Sequence, residues 1–274
     1  MSSLYPKSSE KKKYSFWQKL KRRFIEFQYY VKASIDTSNL PQQKFVIYGQ
    51  GRTGSELLCK LLDLNPDIQC DTEILFHHLF FPQLLIKGKL AACHQNTYGF
   101  KVKIYQLQDI QNQDPEKFLQ QLLADGWKII YLKRENLLRH GLSLITARQR
   151  KKFHVPAGNN KVIKQKVKVD CNLLLAQIKD REEYQQADEK LLSNLPHLTI
   201  VYEQDLLNEE NHQSTVDKIC DYLGITSVAV KAPFARLTPD NLADLIENHQ
   251  EVIEMLNQTK YAHFLADKPS LISQ

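Results

Sequence analysis

No run in this sequence approaches the roughly 20 uninterrupted apolar residues that cross a bilayer, and the N-terminus lacks the apolar core of a signal peptide. The chain is therefore expected to stay in the compartment where it is made. Cysteine is scarce: Cys59, Cys70, Cys93, Cys171 and Cys220 form an odd, scattered set with no CxxC pair, which supports neither a disulfide framework nor a zinc site. A reducing cytoplasm is the simplest setting. Nine glycines and ten prolines in 274 residues are too few for collagen or a low-complexity chain, and no internal repeat is visible. What is present is 42% apolar and 25% charged residues, enough to bury a core as one large domain or two modest ones.

The net charge of +6 is unevenly placed. Residues 1–33 carry nine lysines and arginines against Glu10 and Glu26, a net +7, which leaves the remainder of the chain at −1. A nucleic-acid binder spreads its basic stripe over a folded face, so no nucleic-acid partner is expected. Residues 1–40 read as a basic extension and 41–274 as the folded domain. Within the extension Phe16, Leu20, Phe24, Phe27 and Val31 recur at helical spacing among lysines and arginines. Such an amphipathic helix either attaches to an anionic membrane surface, making the protein peripheral to a membrane, or packs its apolar stripe on the body.

From Leu40 onward short apolar runs alternate with helical patterns. Lys44–Tyr48, Tyr98–Ile104, Trp127–Leu132 and Leu198–Tyr202 read as buried strands. Helices are expected near 55–64, 115–124, 136–150, 172–193 and 213–223, with a final one from Thr238-Pro239. This alternation predicts an α/β fold: three layers, P-loop-like, with a central mainly parallel sheet and helices on both faces. Between Arg148 and Lys168 lie eight lysines and arginines and no acid, either a lid over an anionic ligand or a solvated loop.

Gly49-Gln50-Gly51-Arg52-Thr53-Gly54-Ser55 stands between a strand and a helix, where successive N–H groups and the positive end of the helix dipole converge. It lacks the Lys-Ser/Thr ending of the triphosphatase loop. It does match GxGxxG, the dinucleotide fingerprint, which leaves an NAD- or FAD-dependent oxidoreductase as one reading. That reading requires a second strand ending in an acid about 20 residues on, and Asp67-Ile68-Gln69-Cys70 makes a poor central strand. A noncatalytic nucleotide-binding membrane adaptor is another.

Gly51-Arg52-Thr53-Gly54-Ser55-Glu56-Leu57-Leu58 also resembles the 5′-phosphosulfate loop of sulfotransferases that use 3′-phosphoadenylyl sulfate (PAPS), with Gly51 in place of the family's proline. Arg134, at the end of a strand, with Ser143 nine positions on, is similar to that family's 3′-phosphate site. An arginine there points into the ligand crevice, and the serine adds a donor. Leu64-Asn65-Pro66 through Leu75, Tyr98–Lys101, Tyr202–Leu206 and Ile246–Leu265 resemble the bacterial carbohydrate-type branch. The glycine-rich C-terminal nucleotide loop of the cytosolic steroid and phenol enzymes is missing, so Tyr202, Lys231 and Arg236 are the candidates for holding the adenosine.

The resemblance implies transfer of the PAPS sulfuryl group to a hydroxyl of a carbohydrate or lipid-linked sugar, leaving adenosine 3′,5′-bisphosphate (PAP), with no metal. Gly51, Arg52, Thr53, Gly54 and Ser55 would bind the 5′-phosphate, with Arg52 also stabilising the departing oxygen. Arg134 and Ser143 would bind the 3′-phosphate. Glu73 matches the base of carbohydrate sulfotransferases; partial desolvation is expected to raise its pKa. His77 and His78 are rival bases.

Overall fold

The computed structural model describes residues 15–35, 40–150, 166–231, 239 and 241–266. Arg236 and most of the basic stretch 148–168 lie outside them. The helices, in chain order, are α1 (Phe16–Ile35), α2 (Ser55–Leu62), α3 (Pro82–Ala91), α4 (Pro115–Ala124), α5 (Leu137–Arg150), α6 (Cys171–Leu192), α7 (His212–Leu223), α8 (Leu242–Leu245) and α9 (His249–Asn257). The strands are β1 (Gln43–Gly49), β2 (Ile68–Glu73), β3 (Thr97–Val102), β4 (Lys128–Lys133) and β5 (His197–Val201). They form one all-parallel sheet in the order β2-β3-β1-β4-β5.

Alternation along β1 divides the interior in two, because successive strand side chains point to opposite faces. Val46 and Tyr48 join Phe100, Val102 and Ile129 beneath α3, α4 and α6. Phe45 and Ile47 join Ile130, Leu132 and Ile200 beneath α2 and α7. Both faces are therefore covered, as an all-parallel sheet requires, and the α/β three-layer architecture is established. A third cluster, with Leu142, Ile178 and Leu256, welds α5, α6 and α9 at one end. Local caps fix several boundaries: the Asp114 carboxylate accepts from the Glu116 and Lys117 amides at the start of α4, and Asp170 does the same for Leu173 in α6.

Residues 68–73 form an edge strand: among the described residues β2 pairs with β3 alone, which fits a polar sequence unsuited to the sheet centre. Two expectations need correction. The expected final helix divides into α8 and α9, because Ile246 turns extended and bridges to Val167. Helix α1 docks on the body, but not through its apolar stripe. Its inner face is Glu26, buried, with Arg22, Arg23, Tyr29 and Tyr30 half-buried. The Tyr29 carbonyl approaches Gly88 of α3 so closely that a Cβ there would meet it at 1.9 Å. Phe16, Leu20, Phe24, Phe27 and Val31 all face outward.

Candidate active site

The loop after β1 lies where the chain order reverses across the sheet, since β3 and β2 lie on one side of β1 and β4 and β5 on the other. Crevices at such switch points, beyond the carboxyl ends of the strands, are where open α/β sheets take ligands. Gly54 precedes α2 in the left-handed conformation (φ 85°), and a Cβ on it would strike the Tyr202 ring at 2.6 Å. Only glycine meets both demands. No side chain among the described residues caps α2, so its first-turn N–H groups face the loop with the positive end of the helix dipole. Thr53, buried, donates its hydroxyl to the Gln50 carbonyl at 2.9 Å and so tightens the turn.

Helix α5 closes one side. The Arg52 guanidinium donates to Ser143 Oγ at 3.2 Å, and Arg134 donates to the Arg52 carbonyl at 3.3 Å. His140 lies 2.7 Å from the Gly51 carbonyl through Nε2. Arg134 is 7% exposed, so it is no surface ion pair; it lies 3.5 Å from Glu203 and 4.5 Å above the Tyr202 ring. Glu203 in turn accepts from the Glu135 and Asn136 amides, and thereby holds the start of α5. Burial, reinforced by Arg181 and Arg134, presses His140 well below its ordinary pKa. A neutral imidazole can then donate to the loop without adding charge. From α6, Arg181 donates to Gln50 Oε1 at 3.1 Å.

Strand β3 closes the other side. Lys101 lies near the end of the strand and Lys103 just beyond it, and both reach Glu73. Lys101 Nζ donates to Ser55 Oγ and lies 3.4 Å from Glu73, while Lys103 Nζ lies 2.5 Å from Glu73. Gln106 adds a bond to Glu73 at 2.8 Å. Burial raises the Glu73 pKa, but the fields of Lys103 and Lys101 outweigh it and the carboxyl sits below its ordinary value. The expected upward shift is thus reversed, because the two lysines beside the carboxylate oppose its desolvation. Burial, with Lys103 alongside, lowers Lys101 from 10.5 to about 8.

The structure thus gathers Gly51, Arg52, Thr53, Gly54, Ser55, Arg134, Ser143 and Tyr202 around one loop, with Glu73 joined to it through Lys101. His77 sits instead in the fields of Arg22, Arg23 and Glu26 of α1. His78 stands edge-on to Phe80, and Lys231 is exposed. Lys103, Gln106, His140 and Arg181 carry no sequence signal of their own, and Lys101 and Glu203 belong only to stretches of resemblance. The signal for Lys101 was its placement in a buried, largely apolar strand, where a charge needs a partner. Among the described residues no group of three or more His, Cys, Asp or Glu could hold a metal ion.

Comparison with protein-family models gives no match, and comparison with curated proteins gives none either. Among solved structures, the chain is similar to a sulfotransferase from Alicyclobacillus acidocaldarius, with a TM-score of 0.44 and 13% identity over 84% of this chain and 98% of that one. It is also similar to mouse sulfotransferase SULT7A1 complexed with PAP, with a TM-score of 0.43 and 13% identity over 74% of this chain. The alignment spans 64% of the mouse protein's length.

Proposed function

We propose that this protein is a PAPS-dependent sulfotransferase acting on a hydroxyl of a carbohydrate or glycolipid. One observation carries the reading: Arg52, Lys101, Lys103 and Arg134, from three separate segments, converge on an uncapped helix N-terminus with Glu73 among them. Fixed cations and amides of this kind suit a donor with phosphates at both 5′ and 3′ positions. The donor supplies an electrophilic sulfur. Arg52, the loop amides and Lys101 would hold the 5′-phosphate and neutralise the negative charge that grows on its bridging oxygen. Arg134 and Ser143 would hold the 3′-phosphate, and Tyr202 would flank the adenosine.

Transfer makes a bond from the acceptor oxygen to sulfur as the sulfur–oxygen bond to the 5′-phosphate breaks, with the electron pair leaving on PAP. Glu73, ionised, is in the form that takes the acceptor's hydroxyl proton. Lys101 and Lys103 hold its carboxylate at the mouth of the crevice. The dinucleotide alternative loses support because β3 separates β2 from β1, whereas the dinucleotide fold sets those two strands side by side. Incubating the protein with sulfur-labelled PAPS and a panel of sugars and glycolipids tests the proposal: label moving to a hydroxyl acceptor supports it, and no transfer to any of them counts against it.

A further inference from the structure

Helix α1 is turned the wrong way round for a helix whose only partner is the body it packs on. Its inward face carries Glu26, which accepts hydrogen bonds from the Tyr30 hydroxyl and, at 2.9 Å, from the Phe80 amide. The Tyr30 hydroxyl itself accepts from the Phe81 amide at 3.0 Å. These bonds and the close approach at Gly88 fix the helix on its polar side. The apolar stripe, centred roughly 130° around the helix from Glu26, faces out, with Trp17 74% and Phe24 61% exposed. It continues onto the loop that leaves Glu73. Arg23, next to the stripe's edge, lies 4.1 Å from the Phe80 ring, and Phe80 and Phe81 are exposed too. Folded monomers seldom leave so large an apolar patch uncovered.

We infer that this face, made by α1 together with Phe80 and Phe81, docks on an anionic lipid bilayer. Charge decides between a bilayer and a second copy of the chain. Lys21 and Lys32 are exposed beside the stripe, within an N-terminal segment whose sequence carries +7. Two such faces would repel each other, whereas acidic head groups attract each nearby cation and the aromatic side chains settle at the interface. No helix among the described residues is long and apolar enough to cross a membrane, so α1 lies on the surface. The docked loop runs directly from Glu73; on the sulfotransferase reading, on which this last step rests, the acceptor hydroxyl is carried on a lipid.

Co-sedimentation of the full-length protein with vesicles, without donor or acceptor, tests the surface alone. The protein should pellet with phosphatidylcholine–phosphatidylglycerol vesicles at low salt, much less at high salt, and little with phosphatidylcholine alone. Phe24→Ser with Phe27→Ser, or Lys21→Glu with Lys32→Glu, should each weaken partitioning by about tenfold or more. Circular dichroism and the melting temperature should stay unchanged, since these side chains are exposed. Protein that remains in the supernatant with anionic vesicles at low salt overturns the inference. So does a concentration-dependent dimer, abolished by Phe24→Ser with Phe27→Ser, in a protein that ignores vesicles. If vesicles bind but no labelled sulfuryl group reaches any acceptor, the docking surface stands and the sulfotransferase reading falls.

Discussion

Arg52 and Ser143, 91 residues apart in sequence, are joined by a 3.2 Å hydrogen bond from the guanidinium to the hydroxyl. The glycine loop and helix α5 therefore meet on one surface, and the regions proposed for the two phosphates are contiguous. Arg52→Ala should lower sulfotransfer by about 100-fold or more, the scale of losing a cation that stabilises transition-state charge. Ser143→Ala should weaken PAP binding with a smaller effect on turnover. Near-normal turnover in Arg52→Ala would remove that residue from the mechanism.

Arg134→Ala should weaken PAP binding by about 1.5 to 3 kcal/mol, as for a charge-assisted hydrogen bond. Adenosine 5′-phosphosulfate, which lacks the 3′-phosphate, should bind the variant nearly as well as the parent. Because Arg134 also pairs with Glu203, melting temperature has to be followed in parallel. Equal losses for both nucleotides would assign Arg134 to holding α5 rather than to a phosphate.

Lys101 gives the site a pH signature. Its pKa of about 8 means that the ammonium is lost as pH rises through that value. A bound phosphate favours the charged form, so PAP affinity should fall above pH 8, by up to about tenfold per pH unit. Calorimetric titrations from pH 7 to about 9.5 should show that slope in the parent and not in Lys101→Met. An identical slope in both proteins would place the titrating group elsewhere.

Asp188 of α6 accepts from the Tyr48 hydroxyl at 2.7 Å, and burial pushes its carboxyl from 3.8 up to about 7. The folded state therefore holds a proton that the unfolded chain has already released over that interval. Stability should decline as pH rises from about 4 to 7 and level off above. Asp188→Asn, which keeps the acceptor for Tyr48, should flatten this limb and add on the order of 1 to 3 kcal/mol at pH 8. Urea unfolding at pH 5 and 8 reads the effect directly; a destabilised Asn variant at pH 8 would contradict the assignment.

The sequence displays β1 and β4 plainly, since central strands covered on both faces are near-continuous apolar runs, and β3 and β5 remain rich in apolar and β-branched residues. Strand β2 escaped because Asp71-Thr72-Glu73 is polar, which an edge position tolerates and a central one does not. Helix α3 was missed because its glycine, Gly88, answers to Tyr29 of a distant helix and not to local propensity. For α1 the periodicity gave the helix but not its packed face, because hydrogen bonds from Phe80 and Tyr30 to Glu26 decide that face. At the site, Arg52 and its neighbours were legible as one contiguous motif. His140 and Arg181 reach the loop from α5 and α6, and nothing in their local sequence announces it.

The central claim is that this loop holds a nucleotide with both 3′- and 5′-phosphates, and thermal unfolding with added nucleotides tests it most directly. A ligand that binds only the folded state raises its stability by mass action, by about 2.7 kcal/mol at 100 times its dissociation constant. PAP should raise the melting temperature of the parent protein, less so that of Arg52→Ala or Arg134→Ala, while NAD and FAD leave it unchanged. Stabilisation by NAD or FAD with none by PAP would contradict the account.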